Sequence, residues 1–329
     1  ILQATRDLAL ADGLEVIYGD TDSLMIATRA TSLADVHALG SRFRRRVNER
    51  YRLLELGIDA VFRRLLLLKK KKYAALIISE EGPSGESKTE LETKGLDLVR
   101  RDWCGLSHDV SDYVLRLLFA DPATLDSGNN TEHNGLTSDH DQNTALALIH
   151  DHLAKVAAAV RARQVPLDKY AIHKGLTKPP EAYVDRKGQP HVMVALRMRE
   201  SGHTVRAGDT VPYVICDAQS PALLRDAAEQ QQSATGSFAD RARHPDEVRD
   251  SAGQLFPDAE WYLNQQVLPP CARLLEPLQG TDMATLAQCL GLDSAKYRAA
   301  SAVAAVGSSQ SADSLRTLDS QISDAERFR

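Results

Sequence analysis

No apolar run in this 329-residue sequence approaches the roughly 20 residues that a membrane-spanning helix needs, so no span of that kind is expected. Cysteine is sparse: Cys104, Cys216, Cys271 and Cys289 are scattered, with no C-x-x-C pair. That spacing speaks against a disulfide framework or a zinc site and suits a reducing compartment. An initiating Met and a basic-then-apolar leader are also missing, since position 1 is Ile. The expectation is a piece of a longer chain with no secretory signal. Nor is there a basic surplus: 40 Lys and Arg stand against 45 Asp and Glu, a net charge of −5, which taken whole does not suggest nucleic acid.

The average conceals a split. Residues 1–101 carry 18 Lys and Arg against 15 Asp and Glu, while the remainder carries 22 against 30. The basic residues of the first part are clustered at Arg42, Arg44, Arg45, Arg46, Arg50 and Arg52, then at Arg63, Arg64, Lys69, Lys70, Lys71 and Lys72. Clustering matters more than the total, because attraction to phosphate is screened beyond about 8 to 10 Å at physiological salt. With 43% apolar residues the chain can bury one large core or two modest ones.

The most informative stretch is Tyr18-Gly19-Asp20-Thr21-Asp22-Ser23. Leu14, Val16, Ile17 and Tyr18 read as a strand and Leu24, Met25 and Ile26 as its return, with Gly19 and Asp20 supplying the turn. Two carboxylates two residues apart then sit at the hairpin tip. Hard cations such as Mg²⁺ bind through one or two carboxylates plus substrate phosphates, a need that phosphoryl transfer shares. A bare D-x-D is more often a solvated turn.

Residues 2–12 read as the end of a helix. From Asp35, the apolar residues Val36, Leu39, Phe43, Val47, Tyr51 and Leu54 predict an amphipathic helix of about five turns with the arginines of residues 42–52 on its other face. Val61-Phe62 with Leu65 to Leu68, and then Tyr73 to Ile78, predict two strands with the four lysines in the hairpin between them. Glu80 to Glu92 reads as a turn or loop. Helical spacing returns at Asp112 to Phe119 and Leu146 to Val160. Between them, Asp126 to Asn143 is too polar to repay its ordering entropy and is expected as a disordered insertion. Further breaks are expected at Arg225 to Gly253 and Ala299 to Asp313, and Trp103, Trp261 and Tyr262 read as core anchors.

Taken together, the Tyr18 to Ser23 hexapeptide, Lys69 to Tyr73 with Ala74-Ala75-Leu76, Lys94-Gly95 through Arg100-Arg101-Asp102-Trp103-Cys104, and His173-Lys174 to Leu176-Thr177-Lys178 resemble motifs of the family B DNA polymerases, the alpha type above all. Delta and zeta types are the alternatives within the family. A non-catalytic, polymerase-derived duplex-binding scaffold is the alternative outside it.

The resemblance implies an α+β fold: the end of a polymerase palm, an antiparallel sheet with helices, over residues 1–101, followed by a mostly helical thumb over 102–298. It places the insertion about 126–143 within the thumb. Residues 299–329 would form a linker toward an absent cysteine-rich module, so zinc is not expected anywhere within residues 1–329. The implied activity is template-directed addition of deoxynucleotides to a primer 3′-hydroxyl by two-metal phosphoryl transfer, extending RNA primers at replication initiation. Asp22 would be the direct Mg²⁺ ligand and Asp20 a neighbouring carboxylate of the same site. The earlier palm carboxylate and the fingers lysine that complete the family's site have no counterpart in this sequence. Lys69, Lys70, Lys71, Lys72, Tyr73, Lys94, Arg100, Arg101, Lys174 and Lys178 would meet the primer–template duplex, either an RNA/DNA hybrid or DNA. The lysine run is also what a solvated hairpin tip looks like, and Tyr73 would equally suit a packed strand. His173 and His191 lack metal-like spacing. The further implied partners are deoxynucleoside triphosphates, an accessory subunit, and primase, in the nucleus and away from membranes.

Overall fold

A computed structural model of the chain describes residues 1–30, 32–81, 87–120, 139–186, 188–229 and 237–298. It combines helices with small antiparallel sheets and divides into two compact units, Ile1–Val99 and Arg100–Arg329.

The first unit opens with helix α1 (Leu2–Ala11) and the hairpin β1 (Glu15–Asp20) and β2 (Ser23–Ala27). Helix α2 (Leu33–Asn48) follows. It starts where Ser32 accepts a hydrogen bond from the Asp35 amide, a side-chain N-cap that satisfies one otherwise unpaired helix donor. Leu8 and Ala9 of α1 meet Phe43 and Val47 of α2 in a core to which Leu14, Val16, Ile26, Tyr51 and Leu56 add their sides. Strands β3 (Phe62–Lys69), β4 (Lys72–Glu81) and β5 (Ser87–Lys94) then form a meander in that order.

Two sequence expectations change here. Helix α2 stops before Tyr51, because the Asn48 side chain turns to the backbone of Leu56, donating to its carbonyl (3.2 Å) and accepting from its amide (2.7 Å). The chain then doubles back, so Tyr51 reaches the core from outside the helix while Leu54 is exposed. Arg50 and Arg52 consequently lie beyond the helix, and Arg46 pairs with Asp12 of the neighbouring segment. The polar stretch from Glu80 is also no loop throughout. β4 runs to Glu81, and β5 pairs along it with Leu76 opposite Leu91 and Tyr73 opposite Lys94. A strand at a sheet edge can be polar, since its ladder bonds come from the backbone and charge there discourages edge-to-edge association.

The second unit contains helix α3 (Gly105–Phe119) and helix α4 (Asp139–Arg161). It continues through β6 (Ile172–Gly175), α5 (Pro190–Glu200), β7 (Thr210–Ile215), α6 (Pro221–Glu229), α7 (Phe238–Arg241), β8 (Ala242–Arg243) and α8 (Pro245–Asp250). β7 lies between β6 and β8 in an antiparallel sheet. The final run is α9 (Ala259–Tyr262), a π-turn over Leu263–Val267, α10 (Leu268–Leu275) and α11 (Met283–Cys289). The wide turn falls just before Pro269 and Pro270, which lack the amides that would continue the helical ladder.

Of the expected insertion, residues 126–138 lie outside the described residues, but 139–143 belong to the first turns of α4. The expected break at 225–253 is mostly ordered, with α6, α7, β8 and α8 covering much of it and residues 230–236 outside the described set. The reason is local: Ser237 and Asp240 form a capping box, and Arg243 is buried through ion pairs to Asp226 and Glu247. The stretch at 299–329 also lies outside the described residues. Tyr262 is fully buried, whereas Trp103 and Trp261 are half-buried.

Candidate active site and nucleic-acid interface

The first unit builds its site from two facing hairpin turns. β1 and β2 pair with Glu15 opposite Ala27 and Asp20 opposite Ser23. The turn is Thr21–Asp22, two residues later than the Gly19–Asp20 turn expected from sequence. Thr21 takes a φ of +51°, and the Asp22 amide donates to the Asp20 carbonyl at 2.6 Å, closing a tight three-residue turn. Gly19 instead lies within β1, opposite Leu24, where a Cβ would come within 2.9 Å of the leucine side chain. Asp20 therefore finishes β1, on the same face as Tyr18 two residues earlier. Asp22 stands exposed at the turn.

The second turn is Lys70–Lys71, between the ends of β3 and β4. Lys71 has a φ of +62°. Its backbone is gripped from two sides. The Lys71 amide donates to the Tyr18 hydroxyl at 2.9 Å, and Gly95, itself at φ +62°, packs so closely that a Cβ there would lie 2.3 Å from the Lys71 carbonyl oxygen. The lysine side chains turn onto the first carboxylate: Lys70 Nζ lies 3.6 Å and Lys71 Nζ 3.5 Å from the two oxygens of Asp20. Asp20 keeps 15% of its side chain exposed, against 73% and 65% for the two lysines. Asp22 makes no ion pair among the described residues.

The other sequence-predicted residues of this unit are more dispersed. Lys72 Nζ stands 4.0 Å from Asp97, and Lys69 is exposed at the end of β3. The Tyr73 ring packs 6.4 Å from Phe62, and burial followed by the Glu92 charge raises the pKa of its hydroxyl. Lys94 pairs with Glu92 at 2.8 Å, and that hydrogen bond raises the lysine's pKa.

In the second unit, Arg100 pairs with Asp102 at 3.0 Å. Arg101 is exposed, and its carbonyl accepts the His173 amide at 3.2 Å, so the Arg101 backbone runs beside β6. His173 and Lys174 are exposed on that strand. Lys178 is exposed as well, its ammonium 4.9 Å from the Tyr183 ring centre. The Tyr183 hydroxyl accepts from the Thr177 amide at 2.9 Å, and hydrogen bonding to Thr177 lowers its pKa. Edge-on to Tyr183 lies His191, whose burial and then the Lys174 charge push its pKa down to about 4. His191 is a neutral, buried ring here. Arg101, His173, Lys174 and Lys178 are thus all exposed, on and beside β6.

Sequence reading missed the ion pairs of Asp20, the partners of Tyr18 and Asp97, and the task of Gly95. The position of Gly95 directly after Lys94 was the available signal, since glycine beside a strand end often marks close backbone approach. No group of three or more His, Cys, Asp or Glu able to hold a metal ion occurs among the described residues. The carboxylate turn offers one ungripped acid, Asp22, and one already neutralised, Asp20. That fits an ion such as Mg²⁺, which takes few protein carboxylates and draws its remaining ligands from water and phosphate.

Residues 3–278 match the model of DNA polymerase family B, and the chain belongs to that family. Within it the similarity runs to the alpha type. The chain is 40% identical over 332 residues to the DNA polymerase alpha catalytic subunit of Arabidopsis thaliana, covering 100% of this chain and 20% of the relative. It is 40% identical over 300 residues to that of Oryza sativa subsp. japonica, covering 91% and 18%. Against the DNA polymerase alpha catalytic subunit of Mus musculus it is 38% identical over 330 residues, covering 100% and 20%. The chain therefore spans about a fifth of the length of these curated relatives. Among solved structures, the family B DNA polymerase of the archaeon Pyrobaculum calidifontis superimposes with a TM-score of 0.54 at 26% identity, over 85% of this chain and 29% of that one. No helix among the described residues is long and apolar enough to cross a membrane.

Proposed function

We propose that the chain is the palm end (residues 1–101) and thumb (102–298) of an alpha-type DNA-directed DNA polymerase that adds deoxynucleotides to RNA primers in the nucleus. The observation that carries this reading is Asp22: an exposed carboxylate with no ion pair among the described residues, on a tight turn, beside a second carboxylate that two lysines already neutralise. Asp22 would hold Mg²⁺. The ion, when bound, stabilises the charge that develops on the reacting phosphate and favours ionisation of the primer 3′-hydroxyl. Two such ions are proposed for the intact enzyme, with a further carboxylate from elsewhere in it. Asp20 contributes through its field and through its hold on Lys70 and Lys71, and supports the turn from which Asp22 projects.

The exposed lysines of the 69–72 turn, Tyr73, Lys94, Arg100, Arg101, Lys174 and Lys178 grip the primer–template duplex through its backbone, which holds DNA without reading sequence. An RNA/DNA hybrid tends toward A-form and displays 2′-hydroxyls in a wide minor groove, and the surface around Lys174 and Lys178 would favour it over a DNA duplex. Primase and an accessory subunit complete the proposed partners.

The test is Asp22→Ala in the intact enzyme. Primer extension should be abolished while primer–template affinity stays within a few-fold, because a metal ligand acts on transition-state charge rather than on duplex grip. Near-normal extension by this variant would remove Asp22 from the active site.

A further inference from the structure

The two turns of the first unit are joined by contacts that neither motif predicts by itself. Tyr18 lies on β1, two residues before Asp20 and on the same face, and its hydroxyl accepts the Lys71 amide at 2.9 Å. Lys71 occupies the left-handed region at φ +62°, a conformation unfavourable to a non-glycine residue that persists only where its surroundings enforce it. Those surroundings are the Tyr18 hydroxyl on the amide side and the bare Cα of Gly95 against the carbonyl. Once the backbone is fixed in this way, the Lys70 and Lys71 ammonium groups fall 3.6 and 3.5 Å from Asp20.

We infer that Tyr18 is a positioning residue: it locks the lysine turn over the carboxylate turn and so sets where the Lys70 and Lys71 charges stand relative to Asp20 and to the primer–template backbone. The inference rests on the proposed reading of the lysine turn as a duplex contact only for its last clause. A tyrosine held at the end of a strand could have been merely a packing residue, but burial of its ring would not require a hydroxyl within hydrogen-bond distance of a strained turn. Lys70 and Lys71 are flexible, largely exposed side chains. Without a fixed turn their charges would spread over many positions, and each would lose part of its attraction to a particular phosphate.

The experiment compares intact wild-type enzyme with Tyr18→Phe, Lys71→Ala and the double variant. Hydrogen exchange of the peptide that contains the Lys71 amide should quicken about 3- to 10-fold in Tyr18→Phe, the loss expected for one hydrogen bond of about 1 kcal/mol. Duplex affinity, measured without nucleotide, should weaken by about 2- to 10-fold in the same variant. Adding Tyr18→Phe to Lys71→Ala should weaken it by less than Tyr18→Phe does alone, because the tyrosine acts through that side chain and through Lys70. Unchanged exchange at Lys71 in Tyr18→Phe overturns the inference, as does a fully additive double variant. Faster exchange with wild-type affinity and salt dependence in Lys71→Ala would uphold the lock and reject the lysine turn as a duplex contact. The separate Asp22→Ala result decides the catalytic reading, so the two can fail independently.

Discussion

At the scale of single residues, Gly95 shows how a site can depend on an atom that is not there. Its φ of +62° and its approach to the Lys71 carbonyl, where an added Cβ would lie at 2.3 Å, leave no room for a side chain. Gly95→Ala should lower the stability of the first unit by about 1–3 kcal/mol, since alanine must either adopt the left-handed region or push the lysine turn away. Thermal unfolding of the intact enzyme, read by a probe in residues 1–99, checks this. A shift below about 0.5 kcal/mol would show that the turn yields freely. The same variant should loosen Lys71 as Tyr18→Phe does, from the opposite side of the same backbone.

Among the elements, the run from α9 through the π-turn into α10 ties distant parts of the second unit together. Tyr262 is fully buried, donates to the Tyr170 carbonyl at 2.8 Å and accepts the Ile215 amide of β7 at 3.1 Å. One turn later, Gln266 accepts the Cys104 amide just before α3 at 3.1 Å. Tyr262→Phe keeps the ring and strands two buried backbone groups, so it should cost about 1–3 kcal/mol. A melting temperature of the intact enzyme equal to wild type would mean that water or a small shift satisfies both groups. Element boundaries were also where sequence reading faltered. The strands of the lysine hairpin and helix α1 were legible from apolar pattern, but β5 has Leu91 as its single large apolar residue and was hidden by its polarity. Helix α2 was overextended because Tyr51 and Leu54 continue the helical spacing past Asn48, whose side chain redirects the chain.

For the molecule as a whole, the decisive count is of catalytic parts. The described residues of this 329-residue chain contain no cluster of three metal-ligating side chains, and the two acids of the carboxylate turn are not equally available. The isolated chain should therefore show no primer extension above an Asp22→Ala control, and raising Mg²⁺ should not restore it. Adding the remainder of the enzyme should. Extension by the purified chain alone, absent from its Asp22→Ala counterpart, would show that the site is complete within these residues. Net charge would have been a poor guide at this scale: the chain totals −5, yet exposed cations gather at the lysine turn and along the β6 surface.

The sequence alone was enough to bring out family membership, the paired acids between two strands, the lysine hairpin and the helical character of the second half. Each of these is written in residue types at short spacing, and short spacing survives without knowledge of the fold. What the tertiary structure decided was pairing across distance. The family resemblance assigns Asp20 and Asp22 different roles, but spacing by itself does not separate them; in the fold, strand alternation turns Asp20 to the face shared with Tyr18 and leaves Asp22 at the exposed turn. Which of them is neutralised depends on a second hairpin some fifty residues away, the Lys71 amide and the Tyr18 hydroxyl being separated by 53 positions. Local pattern carries no information about such contacts, because they are set by how hairpins pack rather than by the propensities of the residues that meet.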